Sequence, residues 1–197
     1  QKQSKSSNPT SLVTIGLGSI ATTNTANINT FATDKNYLVW GHNNASLVDA
    51  GTTFNKSIGT SVTANYRMIN RKWKIVETGG DVAEVEITIP TTILSGFTKT
   101  ATEEYVLVVS STATFADADI IDIVPLKTVG SNLQTWYDFD GTRFFTVAKT
   151  EKLTGNFQVN TASGDYLVSE NNINLNNTAF TISTWIQNSN ATGIRTI

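Results

Sequence analysis

Apolar side chains in this chain recur at alternate positions or in short solid runs, with Gly, Asn and Asp between them, and nowhere repeat at helical spacing over three turns. Alternation places every second side chain on one side of a pleated strand, whereas a helix would need a repeat near 3.6. The rhythm predicts an all-β chain. Its candidate strands are residues 12–15, 37–40, 66–76, 82–89, 105–109, 120–126, 133–139, 142–148, 165–168 and 180–186. Thr and Asn are the two commonest residues, which suits pleated strands joined by turns that tolerate left-handed backbone.

Two hairpins can be argued in register. Trp73 and Ile75 share one strand face, as do Val85, Ile87 and Ile89 further on. Placing these sets side by side selects a three-residue loop of Gly79, Gly80 and Asp81, which pairs Ile75 with Val85, Trp73 with Ile87, and Lys74 with Glu86 on the wet face. A two-residue turn would set Ile75 against Glu84. The second hairpin turns at Asp140-Gly141, a dipeptide suited to positive φ, and pairs Tyr137 with Phe144, Trp136 with Phe145 and Asp138 with Arg143. Residues 105–109 are apolar on both faces, as in a central strand covered on both sides. Pro125 cannot donate a ladder hydrogen bond, so its strand should end at Leu126 or lie at an edge. Together these features predict an antiparallel β-sandwich.

Asn becomes dense after Leu153, where a boundary is expected between a β-sandwich module, residues 1–152, and a linker with further strands, residues 153–197. The opening QKQSKSSNPTS has no apolar core of the kind a signal peptide needs, so the chain is read as cut from something longer. No run approaches the roughly 18 apolar residues of a membrane span, so membrane insertion is not expected. A net charge of −2 with no cluster of Lys and Arg argues against nucleic acid as a partner. The chain has no cysteine, which removes disulfides, thiolate catalysis and Cys-based zinc sites.

Ser163-Gly-Asp-Tyr-Leu-Val-Ser, followed by Asn172-Ile-Asn-Leu-Asn-Asn-Thr-Ala-Phe-Thr-Ile-Ser-Thr-Trp-Ile, resembles the opening of LamG-like, concanavalin A-like jelly-roll modules. The likeness covers residues 163–186, the first strands of an incomplete jelly roll, since a whole module needs roughly another hundred residues. Residues 11–150, with Asn29-Thr-Phe, Asn36-Tyr-Leu-Val-Trp-Gly-His-Asn-Asn-Ala, Arg71-Lys-Trp-Lys-Ile-Val-Glu-Thr-Gly-Gly-Asp-Val and Tyr105-Val-Leu-Val-Val, look like an uncharacterised β-rich domain of large Bacteroidetes surface and secreted proteins. That resemblance implies export, often by the type IX route, an extracellular or cell-surface location, and neighbouring domains of the same parent protein as partners. It implies no activity.

The residues capable of chemistry are few. His42, the single histidine, has no nucleophile motif to serve, because Gly16-Leu-Gly18-Ser19 is not a nucleophile elbow. Glu84 and Glu86 alternate with Val85 and read as wet-face charges beside Lys72 and Lys74 rather than a glycosidase pair. Asp117, Asp119 and Asp122 form the best calcium candidate, although Asp119 and Asp122 fall on opposite faces if the segment is extended. Asp138-Phe-Asp140-Gly is half a calcium loop that the hairpin already explains. Of the tryptophans, Trp40, Trp73 and Trp185 read as core, while Trp136 beside Tyr137 is the candidate for ligand contact. No catalytic set is expected. The expected function is therefore a non-catalytic adhesion or spacer module of a larger bacterial protein. The alternatives are a carbohydrate-binding module, calcium-assisted in one version, and a surface-fibre subunit that exchanges strands.

Overall fold

The computed structural model describes residues 2–5, 13–58 and 62–152, within which twelve strands form two antiparallel sheets packed as a sandwich. The five-stranded sheet runs β1 (Gln3–Lys5), β2 (Thr14–Leu17), β7 (Val85–Pro90), β11 (Asn132–Tyr137), β10 (Lys127–Val129). The seven-stranded sheet is organised around β12 (Thr142–Glu151). On one side β12 pairs with β6 (Trp73–Thr78) and β5 (Val62–Ile69), which carry β3 (Tyr37–His42) and β4 (Asp49–Ile58) beyond them. On its other side it pairs with β8 (Glu103–Ser110), which in turn pairs with β9 (Ile120–Pro125). Two 3-10 turns, Thr91–Leu94 and Asp117–Asp119, are the helical content of the described residues, and no helix among them is long and apolar enough to cross a membrane.

Alternation decides which side chains meet between the sheets. Val85, Ile87 and Ile89 from β7 and Leu133 from β11 face Trp73, Ile75, Leu107, Val109, Phe145 and Val147 across one core. Trp73 stacks on Phe145 with centroids 5.3 Å apart. Burial of such rings and branched side chains contributes about 1.5–3 kcal/mol each. The expectation for residues 105–109 holds, since all five are buried. Tyr105, Leu107 and Val109 enter the main core, while Val106 and Val108 enter a second core with Phe54, Tyr66, Met68 and Phe115 on the far side of the sheet. Pro125 also sits as expected: it closes β9, whose one strand neighbour among the described residues is β8. One residue later Leu126, buried, is the pivot from which β10 continues in the other sheet.

Both expected hairpins are corrected. β6 and β7 lie in different sheets, so Ile75 opposes Trp40 and Arg143, while Ile87 opposes Ile15 and Thr135. β11 and β12 are likewise split between sheets, with Trp136 opposite Glu86 and Phe145 between Trp73 and Val109. The physical reason is common to both. Alternation says which side of a strand is buried, and that requirement is met equally well by a neighbour in the ladder or by a strand facing it across the core. The glycines serve the crossings: Gly79 has φ 88°, and a Cβ there would stand 2.0 Å from the Lys35 carbonyl oxygen.

The predicted strand at 66–76 is two strands divided near Arg71, whose guanidinium Nε donates to the Ala45 carbonyl and whose carbonyl accepts the Thr146 hydroxyl. β4 and β10 have no clear apolar alternation. Among the described side chains of β4 the large buried one is Phe54, and β10 is exposed throughout. The chain divides into two units, Gln1–Leu153 and Thr154–Ile197. The strands expected at 165–168 and 180–186, the jelly-roll opening and Trp185 lie outside the described residues.

A chain ending at Lys152 is expected to unfold in one cooperative urea transition followed by tryptophan fluorescence. A chain ending at Gly141 removes β12 and with it the partner of β5, β6 and β8, and is expected to show no such transition.

Candidate functional site

An open groove of about 1010 Å³ lies on the outer face of the seven-stranded sheet. Two rows of directly opposed residues cross its floor. Gly41, Lys74 and Phe144 form one row, and Val39 and Val76 the next. Val39 is 63% exposed, which is high for an aliphatic side chain on a strand. Asn43 and Asn70 brace the rim. The Asn43 amide donates to the Asn70 carbonyl at 3.3 Å and accepts the Lys72 N–H at 3.1 Å, while the Asn70 amide donates to the Ser46 hydroxyl at 3.2 Å. Lys72 forms the far wall, with Nζ donating to the Ala113 carbonyl at 2.9 Å and lying 5.0 Å from the Phe115 ring centroid. Burial lowers its pKa.

His42 stands at one end of the groove. Its Nδ1 accepts the Asn44 N–H at 3.0 Å and faces the Arg71 guanidinium at 3.3 Å. Burial first, and then the Arg71 charge, hold its pKa below the ordinary 6.5. The ring is therefore neutral at pH 7 with its proton on Nε2, shaping the turn after β3 as a structural residue does.

Trp136 and Tyr137 point to opposite sides of the five-stranded sheet. Tyr137 packs into the core against Phe139 at 4.7 Å, and burial, followed by the charge of Asp122, raises its pKa. Trp136 is 41% exposed, and its indole N–H donates to the Gly18 carbonyl at 2.9 Å. Beside it lies the clearest departure from expectation, because Glu86, read as a wet-face charge, is only 5% exposed. Segment 18–29 crosses over this carboxylate, which accepts the Ile20 N–H at 2.7 Å, the Thr88 hydroxyl at 3.2 Å and the Gln134 amide. Lys72 and Lys74, expected beside Glu84 and Glu86, belong to the other sheet's side of the molecule. Trp136 and Glu86 together tack a strap onto the sheet.

Asp117, Asp119 and Asp122 go separate ways. Asp119 accepts the Thr112 and Thr114 hydroxyls at 2.7 and 3.1 Å, Asp122 accepts the N–H of its neighbour Ile123 at 2.8 Å, and Asp117 is exposed in the 3-10 turn. The acidic group that does converge among the described residues is Glu77, Asp81 and Asp140, with ligand oxygens within 4.8 Å of one another. It forms because the β6–β7 and β11–β12 crossings meet at one end of the sandwich. The sequence hinted at it only through Asp140. Glu77 already accepts the Val82 and Gly141 N–H groups, so it braces the two crossings. At the same rim Asp138 has its pKa raised by partial enclosure and then by the charges of Asp81, Asp140, Glu77 and Glu84.

A family model described as Domain of unknown function (DUF8202) matches residues 1–142. It stops at the first residue of β12, one strand short of the unit the structure shows. No curated protein and no solved structure matches the chain.

Removing the Glu86 carboxylate orphans the Ile20 N–H and the Gln134 amide, so Glu86→Ala is expected to destabilise the fold by about 1–3 kcal/mol in urea titration, with a red shift of Trp136 emission. For Asp138, a folded pKa above the ordinary 3.8 favours folding below that pH, and this contribution is lost as pH rises through the folded value. Asp138→Asn should therefore raise the melting temperature at pH 7, and the gain should fade as pH falls to about 3. A gain of the same size at both pH values would contradict the assignment.

Proposed function

We propose that this chain, which belongs to the DUF8202 family, is a non-catalytic adhesion module carried outside the cell by a larger bacterial protein, and that it grips its target with the outer face of its seven-stranded sheet. One separation carries this reading. The groove has a floor of Val39, Val76 and Phe144 around Lys74 and a braced rim but no carboxylate in its lining, while the converging carboxylates Glu77, Asp81 and Asp140 lie apart from it at the sheet crossings. Hydrolysis by paired carboxylates needs two such groups about 5–9 Å apart flanking the substrate. His42, whose Nδ1 is held by the Asn44 N–H and the Arg71 guanidinium, does not replace them. The extracellular placement rests on the resemblance of residues 11–150 to the surface-protein domain, with neighbouring domains of the parent as further partners.

The test is retention of the chain on immobilised bacterial and plant polysaccharides, with an assay for reducing ends released into solution. Retention without release is expected, as is loss of retention in Gly41→Leu, which fills the groove without disturbing a turn. Steady release of reducing ends, or retention indifferent to Gly41→Leu, would remove the proposal.

A further inference from the structure

Gly41 has no local reason to be glycine. It lies within β3, its φ is not in the left-handed region, and a Cβ built on it would meet nothing within 4 Å. Glycine inside a strand weakens it by roughly 0.5–1 kcal/mol relative to alanine. What the bare position does is keep a bay open beside Lys74, its cross-strand partner. On the other side of Lys74 lies Phe144, whose ring centroid is 6.0 Å from the ammonium.

The charge at this bay is one-sided. The chain carries 16 Asp and Glu against 14 Lys and Arg, yet the groove lining contains Lys72 and Lys74 and no acid. The ion pairs among the described residues are Arg67 with Asp49 and Lys149 with Glu103, so neither groove lysine is neutralised by one. Low-dielectric walls on one side strengthen such a field locally even when the net charge is negative. An anion is the complementary occupant.

The floor narrows the choice further. An extended peptide gains its affinity from main-chain hydrogen bonds to a sheet edge. Here the floor is the face of β6 and β12, paired on both sides at Lys74 and Phe144, and the one free edge at the groove among the described residues is the outer side of β3. A saccharide makes no such demand, since its ring faces can lie on Val39, Val76 and Phe144 while its hydroxyls remain hydrated. Resting on the adhesion reading above, we infer that the groove binds an acidic saccharide, one bearing uronate carboxylates or sulfate esters, with the anionic group at Lys74 over the bay at Gly41 and a sugar face against Phe144.

Affinity electrophoresis and calorimetry of the full chain with polygalacturonate, dextran sulfate, neutral dextran and poly-glutamate test this. Binding to one or both anionic polysaccharides is expected, with the tighter of the two identifying carboxylate or sulfate as the recognised group. It should weaken with added salt and fall about tenfold in Lys74→Gln. Lys74→Arg should retain it, and Lys127→Gln, on the other sheet, should leave it unchanged. Equal binding of neutral dextran, unaffected by Lys74→Gln, would overturn the anionic ligand while leaving the adhesion module in place. Poly-glutamate bound as tightly as polygalacturonate would overturn the saccharide. Retention on no surface at all would instead bring down the adhesion reading itself.

Discussion

The position of β12 between β8 and the β5–β6 pair is the constraint on which the rest of this fold depends. Ten residues long, it is the strand through which both halves of the seven-stranded sheet are joined. Phe145 shows why it cannot be replaced from elsewhere. The ring stacks on Trp73 from one neighbouring strand, lies opposite Val109 on the other, and tilts against Phe139 from the crossing that precedes it. One side chain thus closes the core from three directions, which is how close packing converts a pattern of alternation into a single arrangement.

The two faces of that sheet have different fates. Over β8 the outer face is covered by the second core, with Phe54, Tyr66 and Phe115 closing on Val106 and Val108. Over β3 and β6 no described element covers it, and Val39 and Tyr37 stand exposed. A sheet buried on both sides along half its width and open along the rest offers a rigid platform. The groove floor is therefore set by strand geometry and is independent of loop conformation, the condition under which a binding surface is held ready for its ligand.

Much of this was legible in the residues, and the rest failed for a definable reason. β8 could be read because its apolar run has no polar face, and the edge position of Pro125 because a missing N–H is a property of one residue. The partners of β6 and β11 could not be read, because Trp73, Ile75 and Phe145 satisfy their burial equally by lateral pairing or by facing packing. The site inherited that ambiguity. Gly41, Lys74 and Phe144 are a row only once β3, β6 and β12 are known to be neighbours, and Glu77 meets Asp140 only because two sheet crossings end together. Glu86 looked solvated because nothing in its own strand announces the strap from residues 18–29 that closes over it.

The same long strand has a mechanical side. Ladder bonds between antiparallel strands run across the strand axis, and the chain leaves β12 at Glu151, after eight consecutive residues paired with β8 and six with β5 and β6. Tension applied to Glu151 along that axis would load the bonds on both flanks sideways together, as in a lap joint, and would not peel them open in turn.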